Sequence, residues 1–222
     1  MGDFNTYEFV RSNVEGCDGP VLEVGSRDYG NTYNFRPLLE SHDYVGIDMS
    51  EGKGVDKVLD LTKPFDDIDK ALDGKRFGTI ICLSVLEHCD KPFLMAENMT
   101  RLLKPGGRIF ISVPFSWKFH GYPSDYWRFT HEGVKKLFAD LSFDNEYGYA
   151  STSRDNEKMP LDNYIGSIKM SGSSERKRGN FLRGLSIDAI KYLLWPLGIF
   201  YWMTKYRYLM MPTMINMIGV KK

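Results

Sequence analysis

The chain has 222 residues, 42% hydrophobic and 26% charged, with Lys and Arg balancing Asp and Glu at 29 each. This composition excludes a disordered chain, and three cysteines without metal-type spacing exclude a disulfide framework and suit a reducing, cytoplasmic compartment. The charge is uneven: residues 171–222 hold nine Lys/Arg and two Asp/Glu, so a basic tail follows an acidic body, suited to an anionic partner or simply to a solvated face.

The opening MGDFNTYEFV lacks the basic start and apolar run of a signal peptide. Residues 7–14 read as a short leading helix, and 20–24 as a buried strand entering a glycine-containing turn. A helix over 34–41 is expected next, then a second strand over 44–47 ending at Asp48 and a third over 57–59 ending at Asp60. Helix 63–72 leads to an apolar fourth strand, 78–83, and helix 92–103 is stopped by Pro105-Gly106-Gly107. A fifth strand covers 108–113, and Thr130 is placed to cap a helix over 131–140. A sixth strand is expected over 143–150, polar loop over 151–182, an apolar and aromatic segment over 185–211, and a seventh strand over 214–220. Strands alternating with helices mean an α/β sheet with parallel strands and crossover helices on both faces. Ligands of such sheets bind beyond the carboxyl ends of the strands, at 25–30, 48–50, 60–61, 84–88 and 114–128 here.

The first turn reads VLEVGSRDYG. A dinucleotide fingerprint would place its three glycines at Gly25, Arg27 and Gly30, and the arginine crowds a pyrophosphate. A phosphate loop is excluded because no Gly-Lys-Ser/Thr follows. A ligand without phosphates tolerates the turn, and S-adenosyl-L-methionine fits the surrounding chemistry. Glu23 offsets an ammonium, while the turn amides around Gly25 and Ser26 meet a carboxylate, with Arg27 either assisting or lying on the surface. Asp48 is placed to accept from two ribose hydroxyls, Met49 to cover an adenine, and Asp60, followed by Leu61, to accept from its amino group.

The set LEVGSRDYG, YVGIDMS, IICLSVLEHCDKP and RLLKPGGRIFISVP resembles the class I S-adenosylmethionine-dependent methyltransferases, over roughly residues 15–140. In particular it resembles the type 11 group found with glycan and polysaccharide modification. The resemblance implies a Rossmann-like doubly wound sheet, mostly parallel, with seven strands and an antiparallel last one. It implies a cofactor-binding core over 1–150, an insertion rich in apolar helix over 151–212 between strands 6 and 7, and the last core strand in 213–222. It also implies cofactor contacts at Glu23, Gly25, Asp48, Met49, Asp60 and Ser84, with Val85 and His88 on the same turn as Ser84. The turn after Gly25 departs from the family where many relatives carry a second glycine.

Methyl transfer to a hydroxyl asks the protein for positioning and a base. His88 and His120 are the candidates, with Asp125 nearby; His88 is equally suited to orienting its loop. Residues 114–130, PFSWKFHGYPSDYWRFT, are dense in rings and add a carboxylate and a guanidinium. Trp117, His120, Tyr122, Tyr126 and Arg128 are therefore candidate contacts for a sugar-like acceptor, against the simpler reading of a lid in which Arg128 pairs Asp125. The uncharged run 192–203 is too short to span a bilayer and suits an internal cover, a homodimer contact or a peripheral membrane contact at the inner face. No metal is implied. Nucleic acid is not expected, since no Asn-Pro-Pro-Tyr-like motif follows the fourth strand. Besides a glycan O-methyltransferase, a methyltransferase for a quinone-like metabolite and a non-catalytic cofactor-binding protein stay open.

Overall fold

A computed structural model describes residues 4–30, 32–121, 123–144, 147–151, 158–161, 172–177, 179–194, 196, 198 and 213–222. Strands β1 (Val21–Val24), β2 (Tyr44–Asp48), β3 (Lys57–Val58), β4 (Phe77–Leu83) and β5 (Leu103–Pro114) pair in parallel in the order β3-β2-β1-β4-β5. All seven residues of β4 are buried, as expected of a strand covered on both faces. On the other side of β5 lies antiparallel β9 (Met214–Lys221), with Phe110 opposite Ile218. The described residues form nine strands rather than seven. Where one sixth strand was expected, β6 (Leu141–Phe143) and β7 (Tyr149–Ser151) take successive stretches of the same edge of β9. They behave as two pieces of one strand. Strand β8 (Lys158–Pro160) pairs β7 inside the stretch expected to be loop.

Helices α1 (Phe4–Arg11), α2 (Phe65–Ala71), α3 (Pro92–Leu102) and α4 (His131–Leu137) belong to this unit. Pro92 starts α3, where a missing N–H costs nothing, and the Thr130 hydroxyl accepts from the Gly133 amide to cap α4. The helix expected over 34–41 is instead one 3-10 turn, Arg36–Leu39. Tyr33 and Phe35 pack against Tyr7 of α1, with ring centroids 5.1 and 6.1 Å away. That aromatic packing holds the chain out of a helix. Phe9, Val21, Phe35, Ile81, Phe110 and Ile218 share one buried core.

A buried polar ladder joins the antiparallel strands. Ser112 Oγ donates to Asn216 Oδ1 at 2.8 Å, and Asn216 Nδ2 donates to Tyr149 O and Ser151 Oγ at 3.3 and 3.2 Å. Replacing Asn216 by alanine strands these buried groups. It is expected to lower the unfolding free energy by about 1–3 kcal/mol, read as a lower urea midpoint at unchanged slope.

A second compact unit spans Asp162–Met211, against Met1–Leu161 with Pro212–Lys222 in the first. Within it, α5 (Gly172–Lys177) and α6 (Phe181–Leu194) are tied by Arg176 and Asp188 at 2.6 Å. Among the described residues no helix is long and apolar enough to cross a membrane. Most of the run 192–203 lies outside the described residues, as does Tyr122.

Candidate functional site

Two parallel strands end in left-handed backbone. Gly25, at the end of β1, has φ +76° and Ser84, at the end of β4, has φ +54°. The Gly25 and Ser26 amides both donate to Ile47 O, at 2.8 and 3.0 Å, which bends the first turn over the end of β2. A Cβ on Gly25 would lie 2.5 Å from Val85 Cγ2, so only glycine lets the turns after β1 and β4 approach this closely. Ser84 is held by its amide bond to Ser112 O at 2.8 Å. A non-glycine residue in this conformation costs about 1–3 kcal/mol, and such strain gathers at binding sites.

Beyond these strand ends lies a cavity of about 300 Å³, large enough for a nucleoside-sized ligand. Gly25, Asp48, Met49, Asp60, Leu61, Ser84, Val85 and His88 all line it, joined by Tyr29, Cys89, Met95 and Ser124. Asp48 Oδ1 accepts from the Ser50 amide at 3.0 Å, which aims the carboxylate and leaves its other oxygen for a ligand. At Asp60 burial opposes the charged form, but the Thr62 amide at 2.8 Å and hydroxyl at 2.7 Å outweigh it and hold its pKa below the usual value. Asn98 of α3 donates to Leu61 O and Lys63 O at 2.8 and 3.0 Å, fixing the loop that carries Asp60. Acids at two successive strand ends, an exposed Met49 between them and a glycine cradle match the donor and acceptor pattern of S-adenosyl-L-methionine.

Glu23, Ser26 and Arg27 sit elsewhere. They line a smaller cavity of about 150 Å³ that meets the first one at Gly25. Burial pushes the Glu23 carboxyl up, and Tyr44 counters by donating to its Oε2 at 2.9 Å. Ser26 Oγ is buried there without a hydrogen-bond partner.

The aromatic loop is stitched to the turn after β4 chiefly by main-chain atoms. Tyr126 and Trp127 amides donate to Glu87 O at 2.8 and 3.3 Å, Trp127 Nε1 donates to Cys89 O at 2.8 Å, and Ser124 O meets His88 Nδ1 at 2.5 Å. With Nδ1–H given to that carbonyl, Nε2 of the neutral ring carries the lone pair. Burial lowers the His88 pKa, reinforced by His120 and opposed by the Ser124 bond, so the ring is neutral near pH 7.

Asp125 and Arg128, read in the sequence either as acceptor contacts or as a pair, are bound to each other. Arg128 donates to both Asp125 oxygens at 2.5 and 2.7 Å. The His120 amide donates to Asp125 Oδ2 at 2.9 Å, and His120 Nδ1 lies 3.3 Å from the same atom. The rings of Trp117, Phe119, Tyr126 and Trp127 stand exposed, and of these only Tyr126 lines the cavity. His120 is outside the cavity wall, though its ring meets that of His88 edge-on at 4.9 Å between centroids.

The residue that sequence reasoning missed is Glu87. Its side chain is 1% exposed, Oε2 has no hydrogen-bond partner, and Oε1 lies 3.9 Å from His88 Nε2. Burial pushes its carboxyl up to about 7. Its only signal in the sequence is an acid between Leu86 and His88. Glu87, His88 and His120 offer ligand atoms within 4.8 Å of one another. The Glu87–His88 separation of 3.9 Å is beyond hydrogen-bond reach.

A methyltransferase-domain family model matches residues 12–151. Ubiquinone biosynthesis O-methyltransferase of Coxiella burnetii is 31% identical over 99 residues, covering 44% of this chain and 41% of that protein. The 25S rRNA (adenine(2142)-N(1))-methyltransferase of Saccharomyces cerevisiae is 34% identical over 112 residues, covering 48% of this chain and 31% of that protein. The chain thus spans less than half the length of these curated relatives. Among solved structures, a SAM-dependent methyltransferase from Archaeoglobus fulgidus has a TM-score of 0.56 at 17% identity, covering 97% of this chain and 92% of that one. The 1,6-didemethyltoxoflavin-N1-methyltransferase of Burkholderia thailandensis, solved with S-adenosylhomocysteine, has a TM-score of 0.54 at 15% identity, covering 99% and 77%. At these identities the two structures speak for the fold.

Proposed function

Since the chain belongs to the methyltransferase-domain family, with S-adenosyl-L-methionine as methyl donor, we propose that it methylates a hydroxyl on a sugar or glycan-like ring. The observation that carries this reading is His88. It is a neutral imidazole in the cavity wall, its Nδ1 proton held by Ser124 O at 2.5 Å and its Nε2 carrying the lone pair. When bound, the cofactor supplies a methyl carbon activated by the sulfonium. Asp48 and Asp60 hold the ribose and adenine polar groups, Met49 covers the base, and the Gly25 turn receives the methionine end. His88 is the base: its Nε2, buried beside Glu87, is uncovered as the acceptor seats and takes the hydroxyl proton as the acceptor oxygen attacks. The loop over 115–130 shields the transfer from water and offers ring faces for a pyranose.

A second reading, a quinone-like phenol as acceptor, is favoured by the Coxiella burnetii relative. The two separate in one assay: methyl transfer from labelled S-adenosyl-L-methionine to a panel of sugars, glycan fragments and catechol-type phenols, with His88→Ala as control. Turnover on sugars, reduced about 10²–10⁴-fold by His88→Ala, is the expected result. Turnover on phenols alone shifts the assignment to the second reading. Tight S-adenosylhomocysteine binding with no turnover on either class leaves a non-catalytic cofactor-binding protein.

A further inference from the structure

We propose that α6 is a surface-seeking helix that lays its exposed apolar face on an anionic lipid bilayer.

Helix α6 reads FLRGLSIDAIKYLL over Phe181–Leu194. Placed at about 100° per residue, Phe181, Leu182, Leu185, Ala189, Tyr192 and Leu193 fall within one arc of roughly 120°. No charge lies in that arc, and its one polar side-chain atom is the Tyr192 hydroxyl. All six residues are exposed, the five larger ones between 48% and 87%. On a face packed into a core these fractions would be close to zero. Five large apolar side chains in water along about 20 Å of helix make a patch that calls for a partner.

The opposite face is taken by α5. Gly184 is buried, and a Cβ there would meet Arg176 Cγ and Gly172 O at 2.7 Å. Asp188, the one acid in α6, pairs with Arg176 at 2.6 Å. Ser186, beside the apolar arc, donates to Leu182 O of its own helix at 2.8 Å.

Charge selects the occupant. Arg183 and Lys191 lie about 80° outside the two edges of the arc, one on each side. Long cationic side chains at the borders of an apolar strip reach headgroup phosphates while their stems stay with the apolar surface. A tyrosine in the strip, with an apolar ring and a polar tip, suits the same boundary. Residues 171–222 carry nine Lys/Arg against two Asp/Glu. A second copy of the chain would set these cations against their like, whereas an anionic surface attracts them. An acidic groove of another protein would have to wrap the helix, and α5 occupies the side it would wrap. A strip open over about a third of the circumference fits a plane. At 14 residues α6 is too short to cross a bilayer, so the helix lies among the headgroups.

The test is flotation of the full chain with vesicles of phosphatidylcholine alone and of phosphatidylcholine with about one-third phosphatidylglycerol. The protein is expected to float with the anionic vesicles and to leave them as salt rises from about 0.1 to 0.5 M, because screening shortens the reach of the charges. Leu182→Glu with Leu185→Glu is expected to weaken binding at least about tenfold. Arg183→Gln with Lys191→Gln is expected to weaken it about five- to thirtyfold and to flatten the salt dependence. Melting temperature and S-adenosylhomocysteine affinity are expected to match wild type in both variants. Failure to float with anionic vesicles overturns the proposal, as does undiminished floating of the Leu182/Leu185 variant. A lowered melting temperature in that variant overturns it by assigning the face to a packed core. A dimer seen by light scattering that the same variant dissociates overturns it in favour of a second copy of the chain. Equal binding to neutral vesicles overturns the selection by charge on which the choice of partner stands.

Discussion

Replacing Gly25 by alanine is expected to lower the unfolding free energy by about 2–4 kcal/mol and to weaken S-adenosylhomocysteine binding at least about tenfold. Two costs combine. The backbone at φ +76° is one that an L side chain adopts only with strain, and the new methyl would lie 2.5 Å from Val85 Cγ2. Valine is branched at Cβ and swings aside poorly, so the turns after β1 and β4 must separate. That separation opens the cavity at the point where Gly25, Ser84 and Val85 all contribute to its wall. A double variant with Val85→Ala removes the steric cost and leaves the backbone cost. It is expected to recover part of the stability lost by Gly25→Ala, giving a coupling energy of about 1 kcal/mol or more. Calorimetric titration and thermal melts check both effects. A Gly25→Ala protein that melts and binds like wild type would remove the close approach of the two turns from the account.

Asp125→Asn is expected to lower kcat about thirty- to hundredfold while changing cofactor affinity much less. The carboxylate is 1% exposed and receives two bonds from Arg128 and one from the His120 amide. An amide in its place turns an NH₂ toward one of these donors. Losing one charge-assisted bond of this kind costs about 2–3 kcal/mol. Arg128 also donates to the carbonyls of Trp117, Lys118 and Trp127, so releasing it loosens the loop from both sides. Cofactor affinity is affected less because, among the described residues, only Pro123, Ser124 and Tyr126 of this loop line the cavity. Faster limited proteolysis within 115–130 is the accompanying structural readout. The Arg128 guanidinium, helped by the His120 amide and opposed by burial, holds the Asp125 carboxyl well below the usual carboxylate range. A depressed carboxylate keeps its contribution above the ordinary value and loses it only as pH falls through the lowered one. The clamp is therefore complete at neutral pH and outlasts the protonation of ordinary carboxylates.

The parallel half of the sheet was readable because apolar runs and strand-end acids carry their meaning locally. Asp48 and Asp60 terminate strands, and Gly25 follows one, so topology alone brings them to one cavity. What escaped depends on distant partners. Residues 34–41 have helical spacing, but Tyr33 and Phe35 gain more by packing on Tyr7. The short β8 has no periodicity of its own and exists because β7 offers it an edge. Glu87 reads as an ordinary turn acid. Only the loop folding back over it, through main-chain bonds to its carbonyl, makes it a buried one. Asp125 and Arg128, three residues apart, had two readings in the sequence, substrate contact or mutual pairing, and the fold selects the pairing.

The stitching of the aromatic loop to the Glu87–Cys89 turn runs mostly through backbone atoms. Among the described residues, the Trp127 ring reaches Cys89 O, while the rings of Trp117, Phe119 and Tyr126 stand exposed. Trp117 and Phe119, outside the cavity wall, are therefore free to change without disturbing the backbone bonds that hold the loop. Substitutions can accumulate at these two positions over long lineages while the main-chain frame beneath them is inherited intact.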